Sequence, residues 1–146
     1  MDNSSFIIRE ATWADDSEAL RAIRQTVFVE EQNVPPELEW DEIDAQCLHA
    51  LAVDAAGTAI GCGRLLEDGK IGRMAVLPAW RDRGVGSALL RFLMGAAQSR
   101  GCTECHLDAQ TGAVDFYHRH GFAAEGEEFL DANIPHRHMH LTLRSP

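Results

Sequence analysis

The sequence has no apolar run approaching the roughly 18 residues that a membrane span requires. Its N-terminus, MDNSSFIIREATWADD, lacks the basic stretch followed by an apolar one that marks an export signal. These absences predict a protein that stays in the cytosol, with no membrane partner. Positive charge is also scarce: 13 Lys and Arg stand against 23 Asp and Glu, a net charge of −10. That balance repels a phosphate backbone, so nucleic acid is not an expected partner, and it attracts cations such as amines. Cysteine is sparse, and Cys47, Cys62, Cys102 and Cys105 are scattered through a chain long enough to bury a core without staples. Free thiols are expected. No Pro-, Gly- or Ser-rich stretch and no repeat divides the 146 residues, which predicts one domain over 1–146.

What is present reads as alternating strands and helices. Phe6-Ile7-Ile8 is a short β run, and Thr12 to Asp16 supplies capping residues for a helix with the apolar face Leu20, Ile23, Val27 and Phe28. Glu30 to Cys47 holds two prolines and many carboxylates without a long period. It reads as loop or short helical turns and is the expected substrate-facing segment. Leu48 to Val53, Ala59 to Leu66 and Ile71 to Leu77 are apolar runs separated by Gly57 and by Asp68-Gly69, a hairpin signal, and predict three antiparallel strands. From Val85, the positions Ala88, Leu89, Phe92, Leu93 and Ala96 repeat at helical spacing up to Arg100-Gly101, a cationic last turn with a glycine stop. His106 to Ala109 reads as a strand, Ala113 to His120 as a short helix stopped by Gly121, and Phe122 onward with Met139 to Leu143 as closing strands. The order β-α-β-β-β-α-β-α-β-β predicts an α/β fold, a mixed sheet flanked by helices.

Arg81-Asp82-Arg83-Gly84-Val85-Gly86-Ser87 lies between a strand end and the start of the most regular helix. Glycines let the backbone turn sharply and approach an oxygen-rich ligand, while the unpaired N–H groups and positive dipole of the first helical turn face an anion. The turn is not a Walker A loop, since no Gly-Lys-Ser/Thr follows. Leu89 stands where the dinucleotide fingerprint needs its last glycine.

Val76-Leu77-Pro78 followed by Arg81-x-x-Gly84-x-Gly86 resembles the acetyl-CoA pyrophosphate loop of the GNAT acetyltransferase superfamily, and Phe116-Tyr117-x-x-x-Gly121-Phe122 resembles its second signature. Phe28-Val29-x-Glu31-Gln32-x-Val34-Pro35, Asp41-x-x-Asp44, Ala109-Gln110 and Phe129 to His136 are similar to the subgroup typified by the ElaA and YjcF proteins. The resemblance spans nearly the whole chain. It implies a mostly antiparallel central sheet with a parallel, splayed pair of strands at the cofactor cleft and about four helices. It also implies acetyl-CoA as co-substrate and a small-molecule or peptide amine as acceptor, in a monomer or homodimer.

By that resemblance, Met74, Ala75 and Val76 pair with the pantetheine arm, Arg81 to Ser87 wrap the pyrophosphate, and Ala109 and Phe116 complete the cofactor site. Tyr117 matches the general acid for the departing thiolate. Many relatives carry a glutamate base where Gly72 stands, so that role does not transfer. Phe28, Glu31, Trp40, Asp41 and His49 are the candidate acceptor residues, with Glu42 and Asp44 as further carboxylates near the same loop. The alternative reading is a non-catalytic acyl-CoA sensor that keeps the binding turn.

Two clusters are set aside. Cys102-x-x-Cys105-His106 matches a haem-attachment pattern, but haem attachment needs export, and Cys105 fits a small core residue at a helix-to-strand junction. His136-x-His138-x-His140 and His118-x-His120 place imidazoles on shared faces, yet without a second strong cluster they read as solvated or substrate-contacting. No metal is expected.

Overall fold

In the computed structural model of the protein, residues 5–143 are described. β1 (Phe6–Ala11) passes through Thr12 into α1 (Trp13–Arg24). Thr12 Oγ1 accepts from the Asp15 N–H at 3.2 Å and Asp16 Oδ2 accepts from the Thr12 N–H at 3.0 Å, so donors at the helix start are reciprocally satisfied. α1 then widens into a π-helical turn, Gln25–Glu31, which keeps Val27 and Phe28 buried. The acidic segment that follows forms α2 (Pro36–Glu39) and a 3₁₀ turn, Glu42–Gln46.

β2 (Leu48–Asp54), β3 (Ala59–Leu65) and β4 (Ile71–Val76) complete an antiparallel sheet in the order β1-β2-β3-β4. α3 (Val85–Ser99) follows, then β5 (Glu104–Gln110), α4 (Val114–Arg119), β6 (Ala123–Asp131) and β7 (Ile134–Thr142). The last three strands form a second antiparallel sheet in the order β5-β7-β6. The expected element order is therefore observed, with four α-helices against mostly antiparallel strands among the described residues. Among the described residues no helix is long and apolar enough to cross a membrane.

Side-chain alternation along β2 explains the layers. Ala50 and Ala52 pack toward Leu89, Leu90 and Leu93 of α3, whereas Leu51 packs toward Leu20 and Ile23 of α1. α3 sits close on β3 because Gly61 and Gly63 present no side chain there. A Cβ at Gly61 would lie 3.1 Å from Leu89 Cδ1, and one at Gly63 would lie 2.8 Å from Leu93 Cδ1. The far end of α3 closes as the Arg100-Gly101 signal predicts: the Cys102 N–H donates to the Ala97 carbonyl and the Gly101 N–H to the Gln98 carbonyl, both at 3.0 Å.

The two sheets meet at the parallel bridge Lys70↔His106, where the His106 N–H donates to the Gly69 carbonyl at 3.2 Å. Beyond that point β4 and β5 part, which is the splayed parallel pair. A bulge in β4 accompanies the parting. Cys62 pairs with Ala75 but Arg64 pairs with Gly72, so β4 holds an extra residue, with Arg73 in the left-handed region at φ 51°. Across the molecule, Ala132 and Asn133 both have positive φ in a two-residue loop, the geometry of a tight β6–β7 hairpin.

Gly69 is the residue this junction tolerates least changing. Its φ is 95°, and a Cβ there would collide with the Glu104 carbonyl oxygen. Gly57 has a similar φ of 83° but open space around it. Gly57→Ala should lower stability by about 1–2 kcal/mol from backbone strain alone. Gly69→Ala should cost clearly more, about 3 kcal/mol or above, because strain and overlap add. Chemical denaturation of the two variants checks this, and equal losses would show that the junction is not tight.

Candidate functional site

Where β4 and β5 diverge they leave a cleft of about 480 Å³. Its walls are β4 from Ile71 to Val76 and β5 from Leu107 to Gln110. Gly86, Phe116 and Tyr117 line it from α3 and α4, and Phe28, Val34, Leu38 and Glu39 line it from the α1–α2 side. The β6–β7 hairpin adds Asp131, Ala132, Ile134 and His136. Met74, Ala75, Val76, Arg81, Gly86, Ala109, Phe116 and Tyr117, all expected at the cofactor, therefore share one cavity with Phe28.

The glycine turn takes the form its sequence implies. Asp82 and Gly84 have φ of 63° and 85°, and Gly84 caps α3 with no side chain bonding its first-turn amides. Those N–H groups and the positive end of the helix dipole are left for an anion. Gly86 faces the cleft, and a Cβ there would lie 3.5 Å from the Phe116 ring and 3.9 Å from Val76 Cγ2. Ser87 Oγ is engaged with His120 Nε2 at 3.0 Å, and Arg83 stacks on Trp80 at 5.1 Å. Arg81 differs from the expectation of a free phosphate ligand. Its Nη1 and Nη2 both donate to Glu31 at 2.7 Å, and its Nε donates to the Val76 carbonyl at 3.0 Å. Glu31, expected at the acceptor, is thus the partner of Arg81 at the cleft, and that guanidinium holds the Glu31 carboxyl below the usual range.

Tyr117 lies edge-on to Phe116 at 5.0 Å and to Phe122 at 6.0 Å. Burial alone pushes its phenol up to about 12. A phenol so placed is protonated at every physiological pH and is always a donor.

The acidic loop holds the main departure from the sequence reading. Trp40, Asp41 and His49, expected at the acceptor, are built into a buried ion cluster instead of the cleft wall. Arg24, 1% exposed, donates from Nε to Glu39 Oε2 at 2.7 Å and from Nη1 to Asp44 Oδ1 at 2.8 Å. Arg64 donates from Nη1 to Asp44 Oδ1 and Asp41 Oδ1, both at 2.9 Å, and from Nη2 to Asp41 Oδ2 at 3.0 Å. Arg73, reaching back from the β4 bulge, lies 3.1 Å from Glu39 Oε2 and 3.3 Å from Asp41 Oδ2. Three guanidinium groups face three carboxylates, so the charges balance; Arg24, Arg64, Glu39 and Asp44 are buried, while Arg73 and Asp41 sit at the cluster's partly exposed edge.

Burial raises Glu39 against the pull of Arg73 and Arg24. For Asp41 burial acts the same way, but the arginines outweigh it and its pKa falls. His49 Nε2 bonds the Asp44 carbonyl at 2.8 Å, its ring stacks on Trp13, and burial lowers its pKa. Trp40 lies against Arg24 at 5.1 Å. The charged partners are 15 to 34 residues apart in sequence, so only the fold reveals them.

The remaining clusters resolve individually. All four cysteines are unpaired, and burial lifts the Cys62 and Cys105 thiols to about 12 and about 11. Cys105 is a core residue of β5. His138 pairs with Asp108 at 2.9 Å and His140 with Glu125 at 3.6 Å. Among the described residues no three His, Cys, Asp or Glu side chains gather as a metal site. His136 differs from its neighbours in lining the cleft.

Residues 15–143 match the family described as the acetyltransferase (GNAT) domain. The chain is 43% identical over 121 residues to the uncharacterized N-acetyltransferase YjcF of Bacillus subtilis, covering 80% of this chain and 86% of that one. Its fold superposes with a TM-score of 0.84 on an acyl-CoA N-acyltransferase from Pseudomonas aeruginosa, at 30% identity, covering 94% of this chain and 100% of the other. Escherichia coli ElaA shares the fold with a TM-score of 0.83 at 24% identity, covering 94% of this chain and 99% of the other.

The raised phenol generates a test, because Tyr117 is the sole tyrosine. Its pKa rises from 10.0 in the unfolded chain to about 12 in the folded one. Its contribution to stability is therefore complete below pH 10 and is lost as pH climbs toward about 12. Ultraviolet titration should show no tyrosinate in the folded protein near pH 10.5, roughly the point at which the denatured chain is mostly ionised. Tyrosinate appearing at the same pH in both states would place the ring in water.

Proposed function

The chain belongs to the GNAT acetyltransferase family, and from that premise we propose that it transfers the acetyl group of acetyl-CoA to a primary amine of a small molecule or peptide. In this reading the whole chain acts as one catalytic domain. The observation that carries it is the splayed cleft itself, on which Gly86, in a helix start whose amides no side chain caps, and the partly buried Tyr117 phenol share one cavity.

The residues fit acyl-CoA. The open backbone of β4 from Met74 to Val76 offers an edge along which an amide-rich pantetheine arm adds like a strand. The amides of Val85, Gly86 and Ser87 receive the pyrophosphate, with Gly84 allowing the turn. Ala109, small and buried on β5, leaves room beside the thioester, and the Phe116 ring packs over Gly86. Direct attack by a bound amine needs no covalent enzyme intermediate, and holding both reactants in the cleft supplies the main acceleration. Tyr117 protonates the departing sulfur. Its phenol is a weaker acid than a thiol, so the transfer depends on the thiolate forming within hydrogen-bond reach of the phenol O–H. Phe28, with Val34 and Leu38, gives the acceptor an apolar wall.

Two measurements check this reading. Acetyl-CoA at about 100 times its Kd should stabilise the protein by about 2.7 kcal/mol, a Tm rise of roughly 5–10 °C. Gly86→Glu should abolish the rise, since the new side chain meets the Phe116 ring and sets a negative charge at the anion site. An unmoved Tm for the original protein would sink the acyl-CoA assignment. Tyr117→Phe should keep the Tm rise but lower kcat about 10- to 100-fold with the best acceptor amine, read on the acetyl-transfer step before steady state. An unchanged transfer rate would reduce Tyr117 to packing.

A further inference from the structure

An acceptor amine reaches the cleft as an ammonium ion, whose nitrogen has no lone pair until it loses a proton. Gly72 supplies no carboxylate on β4, and a Cβ there would meet nothing within 4 Å. Two other carboxylates of the described wall are committed. Glu39 Oε2 is held by Arg24 and Arg73, and Asp108 has Oδ1 on His138 and Oδ2 on Lys70. Asp131 sits exposed at the hairpin tip.

His136 is different. It is 9% exposed and lines the cleft from β7, opposite Gln110 of β5 and Phe129 of β6. Its Nδ1 lies 2.6 Å from the Ile134 carbonyl oxygen. A carbonyl only accepts, so Nδ1 carries the proton and the neutral ring keeps its lone pair on Nε2. Phe129 stacks on the ring at 5.9 Å, with 25° between the planes. Backbone and aromatic contact together fix both the tautomer and the ring plane.

We propose that His136 is the general base of the reaction, a role that rests on the acetyltransfer proposed above. Nε2 takes one proton from the acceptor ammonium and becomes part of an imidazolium that keeps its Nδ1–H bond to Ile134. The freed amine forms the C–N bond at the thioester carbonyl carbon, and the C–S bond breaks. The sulfur receives a proton from Tyr117, and the second proton that the nitrogen sheds as the amide forms restores the phenol. The imidazolium returns its proton to solvent, so the sum is ammonium plus acetyl-CoA giving amide, CoA thiol and one proton.

Two measurements decide it. Nitrogen-15 spectra of histidine-labelled protein should show one ring protonated at Nδ1 and bare at Nε2, assigned by its disappearance in His136→Asn. A neutral His136 carrying its proton on Nε2 overturns the proposal. Kinetics would use acetyl-CoA with the best acceptor among spermidine, lysine, kanamycin and a lysine-containing peptide. His136→Asn keeps a donor for the Ile134 carbonyl but has no Nε2. It should retain the acetyl-CoA-dependent Tm rise while losing about 100-fold in kcat/KM for the acceptor at neutral pH. The deficit should shrink as pH rises, because more acceptor then arrives already deprotonated. His136→Gln should behave alike. A variant as active as the original, or a deficit equal at every pH, assigns His136 to structure and sinks the base alone. An original protein inactive with every acceptor sinks the acetyltransfer reading, and the base with it.

Discussion

Everything at the site depends on how β4 and β5 meet. They are parallel neighbours at the Lys70–His106 bridge, and then they part. A continuous parallel pairing would satisfy both backbones and leave no cavity. Gly69 permits the close junction because any side chain would strike the Glu104 carbonyl, and the bulge at Arg73 turns β4 away just beyond it. α3 spans the opening from beneath, seated on Gly61 and Gly63, so its first turn arrives at the mouth of the gap. Backbone edge, helix start and α4 phenol are thus brought together by one departure from regular sheet.

The second constraint is the ion cluster behind the cleft. A net charge of −10 suggests an acidic loop open to solvent. In the fold the acids of that loop that matter most are turned inward onto Arg24, Arg64 and Arg73. Burying such ions is costly, and removing one partner leaves an uncompensated charge worth about 3–5 kcal/mol of destabilisation. In return α2 and the 3₁₀ turn after it are fixed in place, and with them the wall formed by Val34, Leu38 and Glu39. Arg73 links the two constraints, since its left-handed backbone makes the bulge and its side chain enters the cluster.

These features were unequally legible in the sequence. The 3.6-residue repeat of α3, the Asp68-Gly69 hairpin and the Arg100-Gly101 stop are local signals, and they place their elements correctly. Gly84 and Gly86 likewise mark the turn because local backbone conformation demands them. The ion cluster was not legible: an aspartate pairing with an arginine 20 or 23 residues away looks the same in sequence as one in water. For that reason Asp41 and His49 read as acceptor residues, while Glu31 gave no hint of Arg81, 50 residues on. His136 was visible as one of three alternating histidines and as the end of the Phe129-to-His136 stretch, with no role of its own. What singles it out is the Ile134 carbonyl against Nδ1, a contact made by hairpin geometry.

The central claim is that the parted strands and the start of α3 hold acyl-CoA. Amide hydrogen exchange with and without saturating acetyl-CoA tests it most directly, because the proposed contacts are made by backbone N–H groups. Exchange should slow at Met74 to Val76 and at Val85 to Ser87, which lie on different elements and share only the cleft. Protection confined to other segments, or none at saturation, would contradict the account.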